Sequence, residues 1–531
     1  MSKPQSNIFV CSGVRLTPDY RHTIWFNNAD EQFSYFTRKT VRSFMGYTYL
    51  RRSWSIKVDA KFREAQEWSY LYFINAEFPA KAKTWYYFIT NVEYLNDSTV
   101  ELFLEMDVMQ SYLFDHKVLE CFVEREHSAS DAIGSNLLDE GLELGEFMTL
   151  SSSEVDLNNW YIMILATGDP FVASQQDEFA PAYGKKFGNV FSGLGLYAFP
   201  ASESKALGTV LNALDNKGHS DCIVAMWMYP QELFNKGSKS GSFMYAVDSA
   251  KTATANAARP SILYGGYKPR NNKLYCYPYN FLYVTNNNGG AAAYPYEFFA
   301  DPAACTFRIV GALSPEGGVR MYPLNFKNIQ LAYENGLSLG AYPTCAWNSD
   351  TYKLWLAQNQ HQQNLGFAMA GLKIAGGVAA LTGTGTLFGS MSAAAGVGLM
   401  TSGFGDIANT LAQRADKDIQ PPQGKGDFST TVNMAAGFQT FTIRRQSIDY
   451  AHAEMIDDFF DMYGYKTSRV KVPNRHVREG WTYTKTIGCT VSGNFCADDK
   501  AKLESIYNNG VTFWVDGDDI GNYNKIRNSC L

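Results

Sequence analysis

The sequence predicts a mainly β, multi-domain protein with a minor α component. Three features carry that expectation. Aromatic residues make up 15% of the chain, led by 35 Phe and 33 Tyr, side chains that favour pleated, half-buried surfaces. Runs with a period of two recur near both ends. The 531 residues exceed what a single hydrophobic core supports, so roughly two to four domains are expected. Apolar residues at 46% suffice for large cores. Charged residues at 18% leave surface either for subunit contacts or for a Gly/Ser/Asn-rich exterior.

Taken in order, residues 1–125 read as an N-terminal β region. Residues 53–60 (SWSIKVDA) alternate Trp54, Ile56 and Val58 with polar neighbours, the signature of a half-buried strand. Residues 84–94 and 99–108 form two further strands joined by the turn Asn96-Asp97-Ser98, with Val100, Leu102, Leu104, Met106 and Val108 on one face. Two such runs around a short Asn/Asp turn predict a hairpin. Between them, residues 59–74 leave room for a short helix or edge structure. Residues 126–345 form a looser, β-rich middle region. Residues 160–167 (WYIMILAT) and 222–229 (CIVAMWMY) are continuous apolar runs, expected to be buried strands. The stretch 185–218 is rich in Gly, Ser and Asn, and GSKSGS at 237–242 and NNNGG at 286–290 read as loops. Strands return near 273–284 and 306–313.

A Gln-rich stretch at 347–363, expected to be helical, leads into a segment unlike the rest of the chain, and QPPQGKG at 420–426 marks a linker. Together, residues 346–426 form a hydrophobic Gly/Ala-rich loop region. Residues 427–531 are expected to be α+β, with strands at 437–445 and 481–492. A helix at 448–463 would place Met455, Phe459 and Met462 on one face, and a second at 497–508 would bury Leu503 and Ile506. No fixed-period repeat is present.

Composition narrows the function. A net charge of −6 and the lack of a basic stripe argue against tight nucleic-acid binding; Arg51-Arg52 and Arg444-Arg445 read as solvated positions. The nine cysteines are irregularly spaced without a CxxC, which argues against zinc and for free thiols formed in a reducing cytoplasm. The N-terminal MSKPQSNIFVCSG lacks the architecture of an export signal. His452-Ala-Glu454 lacks the second histidine of a zinc helix. Asp457-Asp458 and Asp518-Asp519 read as solvated charge, and Arg125-Glu126-His127 as an interface or capping feature. Gly383-x-Gly385-x-x-x-Gly389 misses the dinucleotide spacing. No catalytic residue, metal ligand or cofactor site is expected, and the chain does not read as an enzyme.

Residues 374–405 contain no charged side chain in 32 positions, with nine Gly and six Ala around Ile374, Val378, Leu381, Leu387, Phe388, Met391, Val397, Leu399, Met400 and Phe404. Large apolar residues set it apart from a flexible linker, and its glycines disfavour a helix in water. Two readings stay open: a static plug sheltered by protein, or a membrane-active loop. As a hairpin, each arm of about 16 residues reaches roughly 50 Å at about 3.3 Å per residue, against a bilayer core of about 30 Å. Hairpins from several subunits could close into a barrel, which satisfies backbone groups in lipid. The spacing Gly385-x-x-x-Gly389-x-x-x-Ala393 also permits close helix packing.

An ordered set of runs at both ends carries a family resemblance. These are YRHTIWF from Tyr20, FSYF from Phe33, WYYFIT from Trp85, EMDVMQ from Glu105, VEREH from Val123 and DEGL from Asp139. Near the other end stand YGYK from Tyr463, RVK from Arg469, Pro473-Asn474, IYNNGVTFW from Ile506 and IGNY from Ile520. In this order, over about the first 145 and last 90 residues, the chain resembles the distal tail knob protein of small short-tailed bacteriophages of Gram-positive bacteria. The resemblance implies a homo-hexameric, β-barrel-like tube wall at the virion tail tip, joined to other tail or collar proteins. The terminal regions would build the wall and the middle would form the knob. It further implies that residues 374–405, shorter here than the loops of that family, plug the lumen and later enter the host membrane, while genomic DNA passes without specific binding. The competing reading is a wall adhesin or wall-degrading protein, centred on residues 150–345, with a static plug.

Overall fold

The computed structural model describes residues 5–48, 55–75, 83–178, 186–187, 190–191, 193–345, 440–524 and 528–531. The expected helix at 347–363, the uncharged segment and the linker at 420–426 lie outside them. The described residues are mainly β and fall into two compact units. One draws on Met1–Glu146, Gly265–Tyr279 and Ile448–Leu531, the other on Phe147–Tyr264 and Asn280–Ser447.

In the first unit a six-stranded sheet runs in the order Thr40–Thr48, Gln5–Ser12, Trp68–Asn75, Trp85–Asn96, Thr99–Met106, Ser55–Asp59. The hairpin expected at 84–108 supplies its fourth and fifth strands: Ser98 N donates to Asn96 Oδ1 at 2.9 Å in the turn, and Val100, Leu102 and Leu104 are buried. Side chains of the Thr40–Thr48 edge reach the opposite edge strand. Arg42 Nη2 donates to Asp59 O at 2.8 Å and Tyr47 Oη to Lys57 O at 3.3 Å. Carbonyls of one unpaired edge are thereby occupied by side chains of the other, one way of blunting exposed strand edges.

A second sheet orders His22–Ile24, Val511–Trp514, Trp481–Ile487, Cys121–Glu126 and Tyr465–Lys471. Sequence-distant ends of the chain therefore share one sheet, and Trp481 and Trp514 pack in the common core with ring centroids 5.1 Å apart and planes tilted by 35°. The helix Tyr450–Tyr463 forms as expected but buries Ala453, Ile456, Asp457 and Phe460, whereas Met455 is 58% exposed. Its buried stripe lies one position away from the expected one. The helix Ala497–Asn509 buries Leu503 and Ile506, as expected. Two helices stand among the N-terminal strands where none is expected: the short Val108–Ser111 and Ala29–Lys39, capped by Asn28 Oδ1 accepting from Glu31 N at 2.8 Å, with acids in its first turn and bases in its last.

In the second unit a six-stranded sheet holds Phe234–Ser240, Met244–Ala250, Gly195–Pro200, Trp160–Ala166, Ile223–Pro230 and Thr344–Cys345 in that order. Both apolar runs of the middle region are adjacent strands, with Met163 opposite Trp227. The GSKSGS stretch, expected as a loop, instead supplies most of the edge strand Phe234–Ser240, which is solvated beyond Phe234. The 185–218 stretch contains the strand Gly195–Pro200 and the helix Ser204–Asn216. A further sheet comprises Ala253–Ala257, Cys305–Gly311, Gly318–Phe326 and Ile329–Leu331, with Leu337–Ala341 pairing Gly318–Phe326. A four-stranded sheet orders Phe147–Glu154, Thr442–Ile448, Asn280–Thr285 and Ala291–Tyr294.

Candidate functional site

The residues singled out for plug or membrane activity, from Ile374 to Phe404, lie outside the described residues. What is described is the chain on either side of 346–439, and a single asparagine turn in the second unit touches both sides. The turn joins Asn280–Thr285 to Ala291–Tyr294. Its NNNGG sequence suits the backbone: Asn287 sits at φ 54° and Gly289 at φ 82°, the left-handed region that Asn and Gly tolerate. Asn286 Oδ1 accepts from Asn288 N at 2.9 Å and from Gly290 N at 2.8 Å. This fixes the amide so that Nδ2 donates to Ser338 O at 2.8 Å. Asn287 Nδ2 points to the other side and donates to Thr440 O at 3.0 Å and Thr442 Oγ1 at 2.8 Å.

Both flanks then run into the core of that unit. On the N-terminal side, Tyr342 is fully buried, its ring 4.9 Å from Tyr229 and its hydroxyl donating to Gly318 O at 3.2 Å. Burial, and then the neighbouring Tyr229, push its pKa far up, so this phenol stays neutral. Pro343 O accepts from Met228 N at 2.9 Å, and Thr344 pairs with Trp227. On the C-terminal side Phe441 is fully buried, and its carbonyl accepts from Val155 N at 2.9 Å. Tyr342 and Phe441 belong to the same apolar cluster. The groups that meet here are amides, hydroxyls and carbonyls, and they hold both flanks, up to Cys345 and from Thr440, to one unit. The loop at 286–290 was legible in the sequence, but its anchoring role was not, because its partners lie some 50 and 150 residues further on.

Three of the charged groups noted in the sequence, Arg125, Glu126 and Asp457, are structural clasps of the first unit. Glu126 is buried and accepts from Lys471 Nζ at 2.5 Å and from Asn474 N at 2.8 Å. Arg125 donates to Gly464 O at 2.7 Å and pairs with buried Glu140, which also holds Lys273. Gly464 has φ 64°, and a Cβ there would lie 2.2 Å from Glu126 O, so the end of the Tyr450–Tyr463 helix requires glycine. Asp457 corrects the solvated-charge reading. It is completely buried and accepts from Tyr267 Oη at 2.8 Å, Arg270 N at 2.7 Å, Asn271 N at 3.0 Å and Asn271 Nδ2 at 2.8 Å. His452 pairs with its own helix cap, Nδ1 lying 2.6 Å from Asp449 Oδ2. Among the described residues no three His, Cys, Asp or Glu side chains converge as a metal site, and no helix is long and apolar enough to cross a membrane. Cys11, Cys121, Cys222, Cys305, Cys489 and Cys530 are free thiols.

Comparison with known proteins decides the family. Residues 243–528 match the family of the C-terminal domain of tail knob protein gp9 of Bacillus phage phi29. The chain belongs to this tail knob family. Residues 4–117 match the N-terminus of the caudoviral major tail protein. Tail knob protein gp9 of Bacillus phage B103 is 24% identical over 598 aligned residues, covering 98% of this chain and 99% of that protein. Its counterpart in Bacillus phage phi29 is 24% identical over 605, with the same coverage. The bacteriophage C1 tail knob protein gp12 shares the fold, with a TM-score of 0.65 at 13% identity, covering 99% of this chain and 100% of that one. The resemblance read from the two ends thus extends through the middle region. This tail knob protein is a structural component of a phage virion tail.

Proposed function

We propose that copies of this chain form a homo-hexameric ring at the tail tip, the wall of the tube through which the phage genome is ejected, and that residues 374–405 plug the lumen and later penetrate the host membrane. The observation that carries this reading is the tail knob match over 98% of the chain. The segment supplies the means: 32 positions without a charge are stabilised by burial at about 25 cal/mol per Å² of apolar surface, equally in a plug or in lipid. Exchange between the two therefore needs a trigger that unseats the plug rather than a large energy source. The chain would be made in the host cytoplasm, join other tail and collar proteins, and let DNA pass its weakly acidic wall without specific binding.

Liposome leakage tests the membrane step. The full-length protein, triggered by mild heating, should release an entrapped dye. Deletion of 374–405 should abolish release yet preserve a six-fold ring in electron micrographs, now without central density. A deletion variant that fails to assemble, from a parent that never leaks liposomes, would leave only a static plug. Leu387→Asp combined with Phe388→Asp should also abolish leakage.

A further inference from the structure

One sheet of the second unit carries two arginines, Arg308 and Arg320, on neighbouring strands. The sheet built on Cys305–Gly311 and Gly318–Phe326 buries Phe307, Ile309, Val319 and Met321 on one face. The register assigns the other face: Thr254 lies opposite Arg308, Arg308 opposite Tyr322, and Val310 opposite Arg320. Arg308 and Arg320 are therefore diagonal neighbours on one face, a separation of about 7–8 Å between such positions. Among the described residues neither pairs with a carboxylate. Arg320 Nη2 donates to Tyr333 O at 2.6 Å; Arg308 bonds the Tyr322 hydroxyl, and its Nε is buried with no partner at all. Two guanidinium groups at diagonal positions add their positive charge on one face, which an anion lying between them would relieve. Tyr322 and Tyr333 pack beside them with ring centroids 4.5 Å apart and planes tilted by 45°, Tyr333 being 49% exposed; Thr254 lies on the same face, as does Thr306, whose hydroxyl donates to Ala304 O at 2.7 Å and can still accept.

We infer that this face binds a phosphodiester-linked polyol chain, with Arg308 and Arg320 each taking a phosphate and the exposed Tyr333 ring packing on the carbon backbone between them. Planar guanidinium forks suit phosphate oxygens, which they grip in pairs. Two forks one diagonal apart suit a repeating anion better than a single small one. The ring gives apolar contact to polyol C–H groups, and the threonines offer partners for free hydroxyls. Nothing in this arrangement depends on the 374–405 segment entering a membrane.

The test is a titration of the full-length protein with short synthetic poly(glycerol phosphate), followed by calorimetry, alongside inorganic phosphate, neutral polyglycerol and duplex DNA. The parent should bind poly(glycerol phosphate) and ignore neutral polyglycerol. Arg308→Gln with Arg320→Gln should weaken binding by about ten-fold or more, the scale of lost charge-assisted bonds. Exposed Arg320→Lys, which keeps the charge and loses the fork, guards against a folding defect in the double variant and should weaken it less. Tyr333→Ala should weaken the polymer and leave inorganic phosphate unchanged. No binding by the parent, equal binding by the folded Arg variants, or DNA competing equally per phosphate would each overturn the assignment.

Discussion

His127 Nδ1 accepts the backbone N–H of Tyr483 at 2.7 Å, and its Nε2 lies 3.1 Å from the carbonyl of Asp461. The second contact makes Nε2 the protonated nitrogen and the ring neutral, so both nitrogens are committed and none is left for proton transfer. Burial, aided by Arg478, pushes the imidazole down to about 3. In the unfolded chain histidine titrates near 6.5. As pH falls from about 6.5 towards 3, the unfolded chain takes up a proton that the folded chain refuses. This site's contribution to stability is complete above 6.5 and drains away below it, by about 2–3 kcal/mol between pH 6.5 and 4.5. The expected outcome is that His127→Gln, though less stable at neutral pH, has a flatter thermal midpoint over that range than the parent.

Asp107 behaves in the opposite sense. It caps the short helix Val108–Ser111, accepting from Gln110 N at 3.0 Å, and takes the Tyr70 hydroxyl at 2.8 Å. Burial outweighs these bonds and raises its pKa to about 6, above an unfolded value near 3.9. Between about pH 4 and 6 the folded chain holds a proton that the unfolded chain has released. Its stabilising contribution is full below 4 and lost as pH rises through 6. Asp107→Asn mimics the protonated form, so the midpoint difference between variant and parent should move in the variant's favour from pH 4.5 to pH 7. A difference independent of pH would place the carboxylate in ordinary solvent.

Asn271 binds Asp457 through both its backbone and its side-chain amide, and its side chain also donates to Asp461 Oδ1 at 2.7 Å. This is how the 265–279 stretch is fastened within the first unit. Asn271→Ala strips donors from a buried carboxylate and should cost about 1–3 kcal/mol in denaturant unfolding. Half-buried Asp458 pairs with Arg270; Asp458→Ala should cost under about 1 kcal/mol.

Elements whose pattern expresses local burial were legible in the sequence. The Trp85–Asn96 and Thr99–Met106 hairpin, the two apolar strands of the middle region and the Ala497–Asn509 helix fall in this class. Ser204–Asn216 did carry apolar spacing in Leu207, Leu211 and Leu214, but Gly208 and the surrounding Gly/Ser/Asn-rich stretch masked it. The strand Phe234–Ser240 was hidden because an edge strand can pair its backbone while exposing nearly every side chain. Asp457 was misread because a buried carboxylate is recognised only by its donors, and those come from residues 267–271. The same long reach hid the anchoring role of Asn286 and Asn287.

That anchoring yields a comparison of two substitutions at one position. Asn287→Ala removes the bonds to Thr440 and Thr442 and also forces a Cβ-bearing residue without a compensating amide into φ 54°. The left-handed conformation adds about 1 kcal/mol to the cost of the lost bonds. Asn287→Gly loses the same bonds but accepts the backbone freely. Both variants should speed hydrogen exchange at Val155, whose N–H bonds to Phe441 O beside the anchored Thr440, because that amide reports opening of the returning flank. Only the alanine variant should also lower the thermal midpoint by the strain increment. If the glycine variant exchanges at the parent rate, the turn shapes the Asn280–Tyr294 hairpin and does not hold the flank.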